Sequence, residues 1–260
     1  MRGTATRVGA AVACGLLAAA CAAGPAARAP SGSSVPDPTA GLVREGPVSW
    51  DGARLDGQHL TVYFTGGAPP EAPVGPCSPR YTAEVGTSGA AVTVTLWAWI
   101  PPRHGQEVAC AAIGVSRTFE VTLPAPLGGR RVVDGASGKV RQVVDGATLR
   151  EPTYLPAGYR SGVGEPFKGA FTQIWSRGAD ETLYLRQGGA GIARLGWHPV
   201  VLAHTSVHGV PATAWKSRGF DDNVCLSWSE GSTGFALSSV GSPKAPLSVA
   251  ELRRVAEGLR

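Results

Sequence analysis

Methionine occurs once in this chain of 260 residues, at the first position, lysine four times and asparagine once, while Ala, Gly, Val, Pro and Arg dominate. Losing every internal thioether would spare an exported chain from oxidation. The matching shortage of lysine and asparagine favours a simpler cause, the compositional bias of a GC-rich bacterial genome. Basic clusters are missing too. The formal charge of +5 falls to +3 once Arg2 and Arg7 are set aside as part of a leader, and so mild a surplus is no footprint for a nucleic-acid partner. The N-terminal apolar run covers residues 8–20, well short of the ~20 residues a membrane-spanning helix needs. Motifs of catalysis are equally scarce. Gly188-Gly-Ala-Gly191 lacks the lysine of a phosphate-binding loop and the third glycine of a dinucleotide fingerprint. Gly86-Thr-Ser-Gly89 and Gly135-Ala-Ser-Gly138 miss the spacing of a hydrolase elbow. Asp221-Asp222 has none of the spacing of a calcium loop. No cofactor and no metal is expected.

What is present starts at the N-terminus. Arg2 and Arg7 form a short positive region, and the apolar run behind them closes with Leu16, Leu17, Ala18, Ala19 and Ala20 ahead of Cys21. Such a pattern is an export signal. Small residues immediately before a cysteine resemble the lipobox of bacterial lipoproteins, although the branched residue usual three places before the cysteine is Ala18 here. The resemblance implies a signal peptide over residues 1–20 and diacylation of Cys21 as the new N-terminus. The protein would then be held at the extracytoplasmic side of the cell membrane by its lipid anchor. Residues 21–47 are rich in Pro, Gly, Ala and Ser without apolar periodicity. They read as a flexible tether with a reach of roughly 25–30 Å.

The remainder suits two domains. In residues 48–145, strand candidates fall at 59–64, 81–85, 91–100 and 117–123. In the third of these Val92, Val94, Leu96 and Ala98 share one face while Thr93, Thr95, Trp97 and Trp99 share the other. Short strands and Gly/Pro turns predict an all-β, sandwich-like module. Trp97 and Trp99 would make a stacking platform for a sugar or peptide, or, as such pairs more often do, cover a core or an interface. After a short linker at residues 145–152, residues 153–260 carry six further strand candidates and a closing helix. Ser248 and Glu251 have capping-box spacing, Leu247 and Leu252 stand at staple positions, and Val249, Leu252, Val255, Ala256 and Leu259 form one apolar stripe. An antiparallel sheet plus this C-terminal helix predicts an α+β domain.

Both halves resemble known exported modules. Leu60-Thr-Val-Tyr-Phe-Thr-Gly-Gly67, Tyr81-Thr-Ala-Glu-Val85, Arg117-Thr-Phe-Glu-Val-Thr-Leu123 and Pro126-Leu-Gly-Gly-Arg-Arg-Val-Val-Asp134, with Cys77 and Cys110 between them, resemble an uncharacterised β-domain of actinobacterial secreted and membrane proteins. That implies a fold and a compartment but no activity. Leu155-Pro-Ala-Gly-Tyr159, Val207-His-Gly-Val-Pro-Ala212, Leu226-Ser-Trp-Ser-Glu230 and the terminal helix resemble a C-terminal domain of unknown function in bacterial lipoproteins and anti-sigma-factor-like exported proteins. Some domains of this general shape are related to lipoprotein carriers and sensors, whose curved sheet can hold a lipid tail.

The cysteines sort by position. Cys14 leaves with the signal and Cys21 is the anchor. Cys77 and Cys110 lie in one β-domain of an exported protein, so a disulfide is expected between them, closing a loop of about 33 residues and contributing roughly 3–4 kcal/mol. Cys225, inside Val224-Cys-Leu-Ser-Trp228, reads as a small apolar filler of a buried strand, with a reactive thiol as the sharper alternative. His204 and His208 are ligand residues four apart. In an extended strand they would stand ~13 Å apart, and only a hairpin would bring them together. Trp175, Trp197, Trp215 and Trp228 read as core and rim aromatics. Together these features predict a non-catalytic surface lipoprotein that binds or senses an envelope lipid, glycan or peptide. The competing readings are an envelope hydrolase with His204 or His208 as base, and a protein–protein adaptor. Candidate ligand contacts are Trp97, Trp99, His204 and His208, and the favoured place for a site is the face of the second domain's sheet left open by the helix, or the seam between domains.

Overall fold

The computed structural model describes residues 37–260 apart from 68–72, 103–104, 106–108, 111–113, 163, 168, 195, 197, 219–222 and 242–246. Cys21, the leader and most of the tether therefore lie outside the described residues, as do Trp197 and Asp221-Asp222. The first sheet contains β1 (Val43–Val48), β2 (Gly52–Asp56), β3 (His59–Gly66), β4 (Arg80–Ser88), β5 (Ala91–Ile100), β6 (Val115–Thr122), β7 (Arg131–Asp134) and β8 (Val140–Asp145). The second contains β9 (Arg160–Ser161), β10 (Glu165–Phe167), β11 (Ala170–Arg177), β12 (Glu181–Gly189), β13 (Pro199–Val207), β14 (Val210–Ser217), β15 (Asn223–Glu230) and β16 (Thr233–Val240). One helix, α1 (Val249–Glu257), follows.

Alternation builds the first sheet. On β5, residues Val92, Val94, Leu96, Ala98 and Ile100 are buried and their neighbours are not, as period-2 patterning requires. Val92, Val94 and Leu96 meet Leu60, Val62 and Phe64 of β3 and Val121 of β6 in one core around the fully buried Trp50. The Trp50 indole N–H donates to the Val94 carbonyl at 3.1 Å. The ladder runs β1-β5-β7-β8-β2-β3-β6 with β4 on the other side of β5. Most pairs are antiparallel, but β5–β7 and β2–β8 are parallel. A sandwich-like N-terminal module is therefore not what forms. The β7–β8 hairpin, Val132 opposite Arg141, joins what would have been two layers into one continuous sheet, and one of the molecule's two sheets is a curled half-barrel. Alternation tells which side of a strand is buried; it is silent on whether the ladder breaks.

The second sheet is antiparallel throughout, in the order β10-β11-β12-β16-β15-β14-β13 with β9 beside β11. The helix forms where its caps predict it. Ser248 accepts from the Glu251 amide while the Glu251 carboxylate accepts from the Ser248 amide, and Leu252, Val255 and Ala256 are buried. They close a core containing Trp175, Leu183, Leu226, Leu237 and the stacked pair Trp228 and Phe235, whose ring centroids are 5.0 Å apart. The expected α+β class is nonetheless overturned, because the molecule is nearly all β. The rest of the second half has the period of strands, so a nine-residue helix plugs the core without making a layer.

The stretch read as a linker is pinned. Glu151 and Arg260 exchange backbone hydrogen bonds at 3.0 and 3.2 Å, and the Thr153 amide donates to Gly258. Across the seam, β10 lies close on β2: a side-chain carbon at Gly52 would stand 2.7 Å from Pro166 Cγ. Tyr63 meets Phe171 edge-on at 5.8 Å, and Gly169 donates to Gln142 Oε1. Residues Thr39–Arg260 form one compact unit.

Candidate functional site

The helix covers one face of the second sheet, which leaves the other face to be accounted for. Strand register assembles it. Tyr184 on β12 stands opposite Ser238 on β16, Ser238 opposite Cys225 on β15, and Cys225 opposite Trp215 on β14. One rung thus reads large, small, small, large across four neighbouring strands. Two small side chains between two aromatics leave a trough, with a volume of about 460 Å³. Its wall is the 3₁₀ turn Ala190–Ala193, which continues the glycine-rich end of β12. That turn can press down only because β16 offers Gly234, where a side-chain carbon would sit 2.7 Å from the Gly189 carbonyl. The Trp215 indole is fixed by donation to Ser227 Oγ at 3.0 Å.

Among the described lining residues of the trough, charge has one sign. Arg186 and Arg194 line it, and no Asp or Glu is among its described lining residues. Both arginines are exposed and neither is in an ion pair among the described residues. Arg186 lies over the Phe167 ring, 5.3 Å from its centroid. Cys225, 2% exposed, donates its thiol to Asn223 Oδ1 at 3.1 Å, and its sulfur lies 3.4 Å from the Ser238 hydroxyl. Burial pushes its pKa up, against the smaller opposing pulls of Ser238 and Arg186, so the thiol stays protonated. It is buried as expected, yet on the trough side of the sheet and outside the helix-covered core.

Two smaller clefts lie along the seam. One, of about 310 Å³, sets Asp51 and Glu165 beside Arg117; the other, of about 210 Å³, sets Arg54 beside Glu151. Both mix charges of opposite sign, and Tyr63, whose pKa burial raises, borders both.

The residues singled out by sequence do not gather there. Trp97 and Trp99 sit half-buried on the outer face of β5, with Arg44 laid over them, its guanidinium carbon 3.3 Å from the Trp97 ring centroid and 5.7 Å from that of Trp99. Arg44 also pairs with Glu84 at 2.7 Å, so the ring face a sugar would stack on is occupied. Trp99 donates to Thr82 Oγ1. His204 is exposed on β13 opposite Thr213. His208 makes the hairpin turn itself. With Gly209 it forms the two-residue loop between β13 and β14, at φ +49° and +78°, the mirror-image turn that suits twisted strands. A non-glycine residue tolerates that backbone here because its amide donates to Glu257 Oε2 at 3.2 Å, its Nδ1 meets Glu230 Oε1 at 2.9 Å and its Nε2 meets the Glu257 carbonyl at 3.1 Å. Glu230 further accepts from Trp228 at 3.0 Å and pairs with Arg150 at 2.5 Å. Both ring nitrogens are thus committed, Nδ1 tying the turn to the end of β15 and Nε2 to the helix end. Among the described residues no group of three or more His, Cys, Asp or Glu is placed to hold a metal ion.

A buried hub that the sequence does not signal lies in the first sheet. Asp134, fully buried, accepts from Ser49, Ser137, Arg141 and the Ala136 amide. Burial opposes its ionisation, but these donors outweigh it and hold the carboxyl below its usual range. Cys77 and Cys110 form a disulfide, with Cα atoms 5.3 Å apart. Compared with known proteins, the chain matches no family model, no curated protein and no solved structure.

Proposed function

We propose that this chain is an extracytoplasmic lipoprotein, anchored through Cys21, that binds an envelope component in the trough of its second sheet without turning it over. The observation that carries the reading is the trough: an aromatic-flanked, cation-bearing depression on a rigid sheet, of a size within the ~300–1,000 Å³ of small-molecule sites. The charged leader, short apolar run and following tether support the anchor. Disulfide pairing of Cys77 with Cys110 suits the oxidising compartment such a leader implies. Among the described residues, helices long and apolar enough to span a membrane are absent, so attachment in this reading falls to the acyl chains, each buried methylene worth about 0.8 kcal/mol. The adaptor alternative draws on β13, an open sheet edge exposing Val201 and Leu202.

The test fractionates cells expressing the wild-type chain and Cys21→Ser, then analyses the purified wild type by native mass spectrometry and by generic esterase and peptidase assays. Wild type in the detergent phase, release or stalled processing of Cys21→Ser, and a co-purifying small molecule without turnover are the expected results. A soluble wild type beginning elsewhere than Cys21 overturns the anchor. Turnover lost on His204→Ala or His208→Ala overturns the binding reading in favour of a hydrolase.

A further inference from the structure

Resting on that binding reading, we infer that the trough takes an amphipathic anion: a carboxylate or phosphate joined to an apolar body. Shape and charge point the same way. The floor at Ser238 and Cys225 is low, and Tyr184 and Trp215 rise on either side of it in the same rung, so an apolar body can lie between two aromatic flanks. Ile192 from the 3₁₀ turn adds an aliphatic wall. Arg186 and Arg194 line the trough beside this floor, with no carboxylate among the described lining residues. Elsewhere in the molecule Arg44, Arg54, Arg141, Arg150 and Arg177 each hold an acidic partner; among the described residues neither trough arginine is in such a pair. A guanidinium fork matches the oxygens of a carboxylate or phosphate. A neutral occupant would shield both cations from water and return no counter-charge. The seam clefts suit an anion less well, since Asp51 and Glu165 line the larger one and Glu151 the smaller.

The test titrates the wild-type chain, held in phosphatidylcholine nanodiscs, with decanoate, decyl phosphate, decanol and inorganic phosphate by calorimetry, corrected for empty discs. At least one of the two anionic amphiphiles is expected to bind about tenfold or more tightly than decanol or inorganic phosphate, and less tightly as salt rises. Arg186→Gln and Arg194→Gln should each remove most of the preference over decanol. Ser238→Phe, which fills the low centre of the rung, should abolish binding, and an unchanged melting temperature shows that the sheet survives. Phosphatidylglycerol added to the discs identifies the source: if it competes with decyl phosphate the natural ligand is a membrane lipid, and if not, a free amphiphile; both support the class. Binding of decanol as tight as that of both decanoate and decyl phosphate overturns the anion inference and leaves the binding reading standing. No binding of any probe, with no small molecule co-purified from cells, overturns both.

Discussion

His208 carries a turn that glycine or asparagine would normally make, and it does so by bonding through its amide and both ring nitrogens. Its pKa is raised, first by the hydrogen bond with Glu230, against burial, and then by the Glu257 carbonyl. Glu230 is shifted the other way: burial opposes its charge, but His208, Arg150 and Trp228 outweigh it and lower its pKa. A raised histidine contributes stability that is complete below its ordinary value of 6.5 and is lost as pH climbs through the folded value. A lowered glutamate contributes stability that is complete above 4.5 and is lost as pH falls through its folded value. The melting temperature should therefore peak between these two values, with a decline on the alkaline side that belongs to His208. His208→Asn keeps a residue suited to the turn and should flatten that decline, while the acid limb weakens but persists because Arg150 and Trp228 still lower the Glu230 pKa. An unchanged alkaline limb in thermal scans would show that His208 is not its source.

At the scale of elements, the helix illustrates how a short segment is stabilised from both ends of the size range. Its capping box satisfies amides that would otherwise be orphaned, so Ser248→Ala should cost about 1 kcal/mol. Leu252 is fully buried beneath the sheet, so Leu252→Ala should cost about 2–5 kcal/mol through lost transfer energy and the cavity left behind. Denaturant unfolding followed by circular dichroism separates the two. A larger loss at Ser248 than at Leu252 would mean that packing is not what holds the helix. Strand elements obey a parallel logic. The β5 alternation sorts Leu96 inward and Trp97 outward, and Arg44 then covers the outward ring.

Across the whole molecule, the disulfide and the pinned connection decide which parts move together. The bridge spans 33 positions between Cys77 and Cys110, and in chain-entropy terms its removal should cost roughly 3–4 kcal/mol. In a non-reducing digest, peptides containing Cys77 and Cys110 should travel as one species. Cys225, buried and with its pKa raised, should resist iodoacetamide until the chain is unfolded. Alkylation of Cys225 in the native protein would show that the trough floor opens to solvent. At the seam, Gly52 beside Pro166 and Tyr63 against Phe171 hold the two sheets in contact.

Local information in the chain determined the local features. The strand runs around Val92–Leu96 in β5, the capped helix from Ser248, and the compatibility of Cys77 with Cys110 each depend on periodicity, on cap chemistry three residues apart, or on elimination among few cysteines. The single continuous first sheet does not, because alternation is the same in a sandwich and in one joined ladder, and the parallel pairing of β5 with β7 and β2 with β8 is a matter of distant partners. The trough is less legible still. Tyr184, Trp215, Cys225 and Ser238 come from four strands, and only the register of three ladders puts them in one rung. Trp97, Trp99, His204 and His208 drew attention as residue types. Tertiary structure gave Arg44 to the first two, left His204 on an exposed edge and committed His208 to the turn. A side chain's chemistry is written in its own position, but what it is free to bind depends on which neighbours folding brings within reach.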